Sequence, residues 1–525
     1  MEQLLSRFNR IWPEVLGCLL LAVMAGLATL HFYGPGWLSY AWVGMVVLSL
    51  ALQLTALGTL RLGNLLLCLI GILALLMHTF SFLEGEPWLS WPRLIHLLAI
   101  MLLLWVLRAA QGGRYVPGRE GMLAVWLSLV VFAACVINGQ ALYLAEWQIF
   151  LLQFSLFTLC VRCFPALVQH SWPYFVIVLL ILGLMLLSNA LAASVDEVMA
   201  TSDRVFHMLG HLLFAWSVYA CSRQYSWRPV YLFWSVFAAL LVCTLAVAML
   251  WFTVDQPRLY DWFSKPPLFG HIRHMGYFLC FAAIVATYWF FSARLLQHYL
   301  AGVAVLLGFS LLFWNGGRGA ALAVMLAGSL VLFCSCFSWQ RLRSMAYLVI
   351  LALAMSLLFR VDVRGVGWFD ALWRSDAATS VNALSSGRLW IWSVLWPFIQ
   401  ERIWFGWGGN GFVSVWGKEA SIIQAHNGLF QLLLEWGLIT TAAILGLISY
   451  YFLRGSWVIC HMGRRAQPPL LLGLMVTLGM LVLAVFDGIF YYGAPGSFLA
   501  LGLGLLAAGL KLQALHGPDA ANDHG

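Results

Sequence analysis

The stretch QAHNGLFQLLLEWG, residues 424–437, sets a polar pair, His426 and Asn427, at the head of a run that is otherwise oily. Asn427 directly precedes Gly428 and an apolar segment, so it is placed to cap a helix. A histidine at a helix N-terminus feels the positive end of the helix dipole, which disfavours the imidazolium and leaves a neutral ring able to accept a proton. A general base for a hydroxyl needs that state. A second set of residues is cationic: Arg273 in PLFGHIRHMGYF, Arg318 in WNGGRGA and Arg388 in SSGRLW. Guanidinium groups are permanently charged and bind phosphate oxygens bidentately, so such a set fits a diphosphate and the charge that develops as it leaves. Arg318 follows Asn-Gly-Gly and precedes a helix, whose first amides add to anion binding. His274, beside Arg273, is a candidate donor to a polar ligand. Glu435, inside the oily helix, and Asp487, which opens DGIFYYGAP, are carboxylates able to pair with and orient a guanidinium. Each arginine alone reads equally as an interfacial anchor, and His426 alone as a hydrogen-bonded corner residue. Their occurrence as a set is what points to a site.

The elements that must hold these residues are membrane spans. The 525 residues are 63% hydrophobic and only 9% charged, with a mean hydropathy of +0.91, whereas a soluble domain carries roughly a quarter charged residues. Apolar runs long enough to cross a hydrocarbon core begin near residues 13, 37, 62 and 92, and recur at 121–137, 142–161, 173–193, 205–222, 229–252, 275–293, 297–314, 319–337, 344–359, 437–453, 468–486 and 495–511. The expectation is an all-α polytopic membrane protein. The formal charge of +8 is therefore a topology ruler, not a sign of nucleic-acid binding. With the N-terminus inside, Arg7, Arg10, Arg61, Arg162, Arg223, Arg294, Arg341, Arg454 and Arg465 fall on the cytoplasmic side and Asp196, Asp203, Asp255 and Asp261 on the other. Arg273, Arg318 and Arg388 are exceptions to that partition, on the outer face with His426. A Trp-rich outer loop over 360–425 contains an amphipathic helix in SGRLWIWSVLWPFIQ and a glycine-rich turn in GWGGNGF. Cys160/Cys163 and Cys334/Cys336 are close pairs, but no second pair or nearby histidine completes a zinc set. The first outer loop, HFYGPGW, lacks a DxD or ExD, and no carboxylate pair of glycosidase type is visible. No metal and no cofactor are expected, and arginines would take the place of a cation in neutralising phosphate.

The order of motifs, Arg273, NGGRGA, SGRLWIW with GWGGNGF, then AHNGLFQLLLEWGLI, resembles the bacterial O-antigen ligase superfamily, which also contains O-antigen polymerases and protein O-oligosaccharyltransferases. The similarity covers roughly residues 265–505, which divides the chain into N-terminal spans over 1–260 and a ligase-like half over 261–525. The resemblance implies a C-type glycosyltransferase fold in the inner membrane with its site facing the periplasm. It further implies an undecaprenyl diphosphate-linked glycan as donor and transfer without metal. Residue by residue, it assigns Arg273, Arg318 and Arg388 to the diphosphate and loop site, and His426 to the base or to acceptor positioning. Asp487 matches a less specific acidic position. Lipid A core is the favoured acceptor, with a growing polysaccharide or a pilin as alternatives within the same chemistry. A transporter or flippase for an anionic lipid-linked substrate is the reading from another class. It predicts two repeat-related halves with charge at midplane, whereas the unusual charges here collect at one face of the second half.

Overall fold

The computed structural model describes residues 119–516, apart from 137–141, 193–202, 225–228, 295, 335–337, 364, 368–379, 381–384 and 417–421. The four spans expected before residue 119 lie outside the described residues, as do Trp368 and Trp373 of the long loop. In chain order the helices are α1 Arg119–Val136, α2 Leu142–Cys163, α3 Pro165–His170, α4 Trp172–Ala192, α5 Asp203–Arg223, α6 Pro229–Thr253, α7 Ile272–Ser292 and α8 Leu296–Asn315. They continue as α9 Arg318–Cys334, α10 Trp339–Leu358, α11 Arg388–Glu401, α12 Gly411–Trp416, α13 Gly428–Met462, α14 Pro468–Phe486 and α15 Gly493–His516. Among the described residues there is no strand, and nine helices are long and apolar enough to cross a membrane. Each apolar run predicted from residue 121 onward falls on a helix. The chain is an all-α polytopic membrane protein.

Local chemistry explains where these helices begin. Proline stands at the start of α3, α6 and α14, where its missing N–H costs nothing. Ser338 caps α10, and His271 caps α7 by accepting from the Arg273 amide. The outward faces stay apolar: Leu179, Leu180 and Leu186 on α4 and Tyr347 and Ile350 on α10 are exposed, as lipid-facing surface requires.

The chain folds into two compact units, each drawing on several stretches of sequence. The first includes residues 225–317 and 338–367, and so contains α6, α7, α8 and α10. Around its α7, Trp262 of the preceding loop is fully buried and packs edge-on against Trp314 of α8. Asn315 donates to the Ile272 carbonyl at 2.7 Å, fixing the start of α7 against the end of α8.

The second unit comprises 153–224, 318–337 and 368–525, and so contains α3–α5, α9 and α11–α15. Within it α14 packs on α15, α15 on α5 and α9 on α14. Small residues permit the close approaches: a Cβ on Gly502 of α15 would lie 2.8 Å from Thr477 Oγ1 of α14. The starts of α5, α9, α11, α13 and α15 meet the ends of α4 and α14 at one end of this unit, as the bonds described below show.

Candidate active site

The site is built around the corner that turns the long loop into α13. Asn427 caps that helix as the sequence predicts, accepting from the amides of Leu429 at 2.9 Å and Phe430 at 3.0 Å. Its own Nδ2 donates to the Val485 carbonyl at 3.0 Å, which ties the corner to the last turn of α14. His426 has φ +50°, a left-handed conformation that costs a non-glycine residue roughly 1–2 kcal/mol. Bonds on both sides hold it there. Trp392 of α11 donates its indole N–H to the Ala425 carbonyl at 2.9 Å, and the Ala425 amide donates to Gln431 Oε1 at 2.9 Å. Gln431 in turn donates to Glu435 Oε1 at 2.8 Å, one turn further along α13.

The imidazole so placed is buried, and its Nδ1 lies 3.2 Å from Asp487 Oδ1. Asp487 is the C-cap of α14, also buried, and the same oxygen accepts from the Gly488 amide at 2.9 Å and from Gln424 Nε2 at 3.2 Å. Gln424 also donates to the Tyr492 hydroxyl at 3.0 Å. An ionised carboxylate can only accept, so Nδ1 is the nitrogen that carries a proton, and in the neutral ring Nε2 presents a lone pair. Asp487 thus stands behind the histidine, where a carboxylate is placed to fix the tautomer and would stabilise an imidazolium were Nε2 to take a proton. The sequence suggested a carboxylate beside an arginine. It did not show this pairing, because His426 and Asp487 are separated by the whole α13–α14 hairpin.

Two of the three arginines come to the same end of the unit. Arg318 opens α9, whose first turn presses on the end of α14, where a Cβ on Gly319 would lie 3.2 Å from Phe486 Cβ, next to Asp487. Its guanidinium donates to Ser386 Oγ at 3.0 Å. Arg388 opens α11 just after Gly387, which has φ +81°, and donates to the Ser385 carbonyl at 3.4 Å. The two guanidiniums therefore flank one turn, Ser385–Gly387. Trp392, one helical turn beyond Arg388, is the residue that pins Ala425, so α11 couples the arginine turn to the histidine corner. This helix is amphipathic as expected. Ile391, Leu395 and Ile399 are buried with Trp407, Phe412, Ala425 and Leu434, while Trp390 and Trp396 stay exposed.

Glu435 is buried deeper along α13. It lines a small cavity with Arg204, His207, His211, Tyr491 and Tyr492, so it sits behind the histidine corner. Arg273 and His274 belong to the first unit. There His274 is buried, its ring 6.0 Å from that of His271 and 5.8 Å from that of Tyr277.

The glycine-rich turn has a structural reason for its composition. Within α13, Gly437 leaves helical geometry at φ +69°, ψ −178°. The break leaves carbonyls of the preceding turn without partners in the helix, and the turn supplies them. Trp407 N donates to Leu434 O and Gly408 N to Glu435 O, each at 2.8 Å, while Ser188 of α4 adds a bond to Glu435 O at 3.0 Å. In return Leu438 N donates to the Ile403 carbonyl at 2.7 Å. The EWG of the opening stretch is the docking groove for GWGGNG.

Residues 303–445 match a family model described as O-antigen ligase. That segment carries Arg318, Arg388, the glycine-rich turn and the His426 corner. The chain carries a domain of the O-antigen ligase superfamily. No curated protein matches the chain. That superfamily embraces ligases, polymerases and oligosaccharyltransferases, which are glycosyltransferase-like enzymes, and the nine membrane-length apolar helices among the described residues make this chain a multi-pass membrane protein. Asp487, Gln424's partner Tyr492 and Arg204 all lie outside the matched segment.

Proposed function

We propose that this protein transfers a glycan from an undecaprenyl diphosphate carrier to a hydroxyl of lipid A core, at the periplasmic face of the bacterial inner membrane and without a metal. The carrying observation is the buried His426–Asp487 pair, joined through α11 and α14 to the turn flanked by Arg318 and Arg388. His426 Nε2 takes the proton from the acceptor hydroxyl while that oxygen attacks the anomeric carbon. The bond from that carbon to the diphosphate oxygen breaks, and its electron pair leaves with the diphosphate. Arg318 and Arg388 stabilise the departing charge, the term that contributes most in such displacements. Arg273 and His274 enter this reading as donor-binding residues on the strength of their motif. A single displacement inverts the anomeric configuration.

The test is complementation of a strain lacking its O-antigen ligase. The wild-type chain restores capped lipopolysaccharide on a gel, and His426→Ala and Arg318→Ala do not. Capping by both variants would sink the mechanism. Restoration of chain-length polymerisation or of pilin glycosylation instead of capping would keep the chemistry and replace the acceptor.

A further inference from the structure

Arg204 lies in the first turn of α5, where the positive end of the helix dipole makes a cation unfavourable. The fold compensates it from three directions. Its Nε donates to Asn410 Oδ1 at 3.1 Å, its Nη1 donates to the Tyr491 carbonyl, and its guanidinium carbon lies 3.8 Å from the centre of the Tyr491 ring. Tyr491 OH is itself 3.4 Å from the same Asn410 oxygen. Two loops therefore converge on one side chain.

Each loop leads to the candidate site. Asn410, in a left-handed conformation at φ +60°, belongs to the glycine-rich turn. That turn is already fixed by Gly408 N to Glu435 O and by Gly409 N to Asn189 Oδ1, each at 2.8 Å. Tyr491 belongs to the segment from Asp487 to Gly493. The next residue, Tyr492, accepts from Gln424, which also donates to Asp487. Gripping the Tyr491 backbone thus limits where the Asp487 carboxylate can stand, and through it where His426 points. A planar fork can serve two acceptors in fixed directions while stacking on a ring, which an ammonium cannot do.

We propose that Arg204 is a positioning residue, a clamp between the Gly406–Gly411 turn and the Asp487–Gly493 segment that holds Asp487 behind His426. Its effect on transfer rests on the function proposed above, whereas the clamp itself does not.

The test uses the purified full-length protein, with Arg204→Lys as the main variant. Asn410→Gly, which keeps the left-handed backbone and removes the acceptor, is the second. By hydrogen exchange, amides of 408–411 and 488–492 exchange faster in both variants while those of α14 and α15 are unchanged. Unchanged exchange in both loops would overturn the clamp, whatever happens to activity. In a transfer assay with lipid-linked donor, Arg204→Lys lowers kcat by about ten-fold and leaves KM within about two-fold, the signature of lost orientation. Combined with Asp487→Asn it adds no further loss, because both act through one carboxylate. Losses that multiply, or a raised KM with kcat intact, would refute the positioning role. If wild type transfers nothing while the variants still loosen both loops, the proposed function fails and the clamp stands.

Discussion

Among single residues, His426 stands apart: its backbone is strained and its ring is backed by a carboxylate. Strain of this kind persists where surrounding bonds over-determine it, and it clusters at working sites. His426→Asn places a residue that tolerates the left-handed conformation at the corner, so the protein should unfold at the wild-type temperature or slightly above it. Transfer should nevertheless fall by about 10²–10⁴-fold, the contribution of a general base. Thermal unfolding and rate measured on the same preparation separate those effects, and a matched loss of both would mean the histidine is structural. For Arg318→Ala the expected loss is about 10²-fold in kcat, on the scale of one removed charge-stabilising donor. Steady-state kinetics would expose a pure anchor by leaving kcat unchanged. The sequence made His426, Arg318 and Arg388 legible because polar groups stand out in an oily chain. Asp487 was legible as a residue but not as the partner of His426. Arg204 was passed over beside Asp203, although it too is a cation on the face where cations are few.

At the scale of elements, helix existence was the most readable feature. Length and hydropathy place the spans, and proline and cap residues place their starts, because both signals are local. What could not be read is how a glycine serves a distant turn. Gly437 ends the motif EWG, and its use becomes evident only when Trp404 and Phe405 are seen against it. A Cβ at Gly437 would collide with the backbone of both residues, at a φ that side chains avoid. Gly437→Ala should therefore destabilise the protein by about 3 kcal/mol or more. The loss would show in thermal unfolding as well as in activity. A wild-type unfolding temperature in that variant would mean that the helix break and docked turn are not the native arrangement. The amphipathic α11 was legible from the residues of SGRLWIWSVLWPFIQ, but its second task, presenting Trp392 to Ala425, is a tertiary fact.

At the scale of the whole molecule, the charge partition makes a topological prediction. With its native cysteines replaced, the protein carrying Ser386→Cys should react with a membrane-impermeant thiol reagent added to spheroplasts, and one carrying Arg465→Cys should not. Labelling reversed between the two would put the arginine turn on the cytoplasmic side and remove the periplasmic reaction. Polytopic architecture followed from composition, since only helices satisfy their own backbone across lipid in a chain of this pattern. The grouping of helices into interleaved units did not, because packing partners distant in sequence leave no periodic trace. The central claim is that His426 drives a direct, metal-free displacement of a lipid-linked diphosphate. Its most direct test is one assay: purified wild-type and His426→Asn proteins, undecaprenyl diphosphate-linked glycan and lipid A core, with a chelator present throughout. Wild type should transfer the glycan, with inverted configuration at the new linkage, and the variant should do so at a rate at least about 10²-fold lower. Loss of wild-type transfer on adding the chelator, or equal rates for the two proteins, would contradict it.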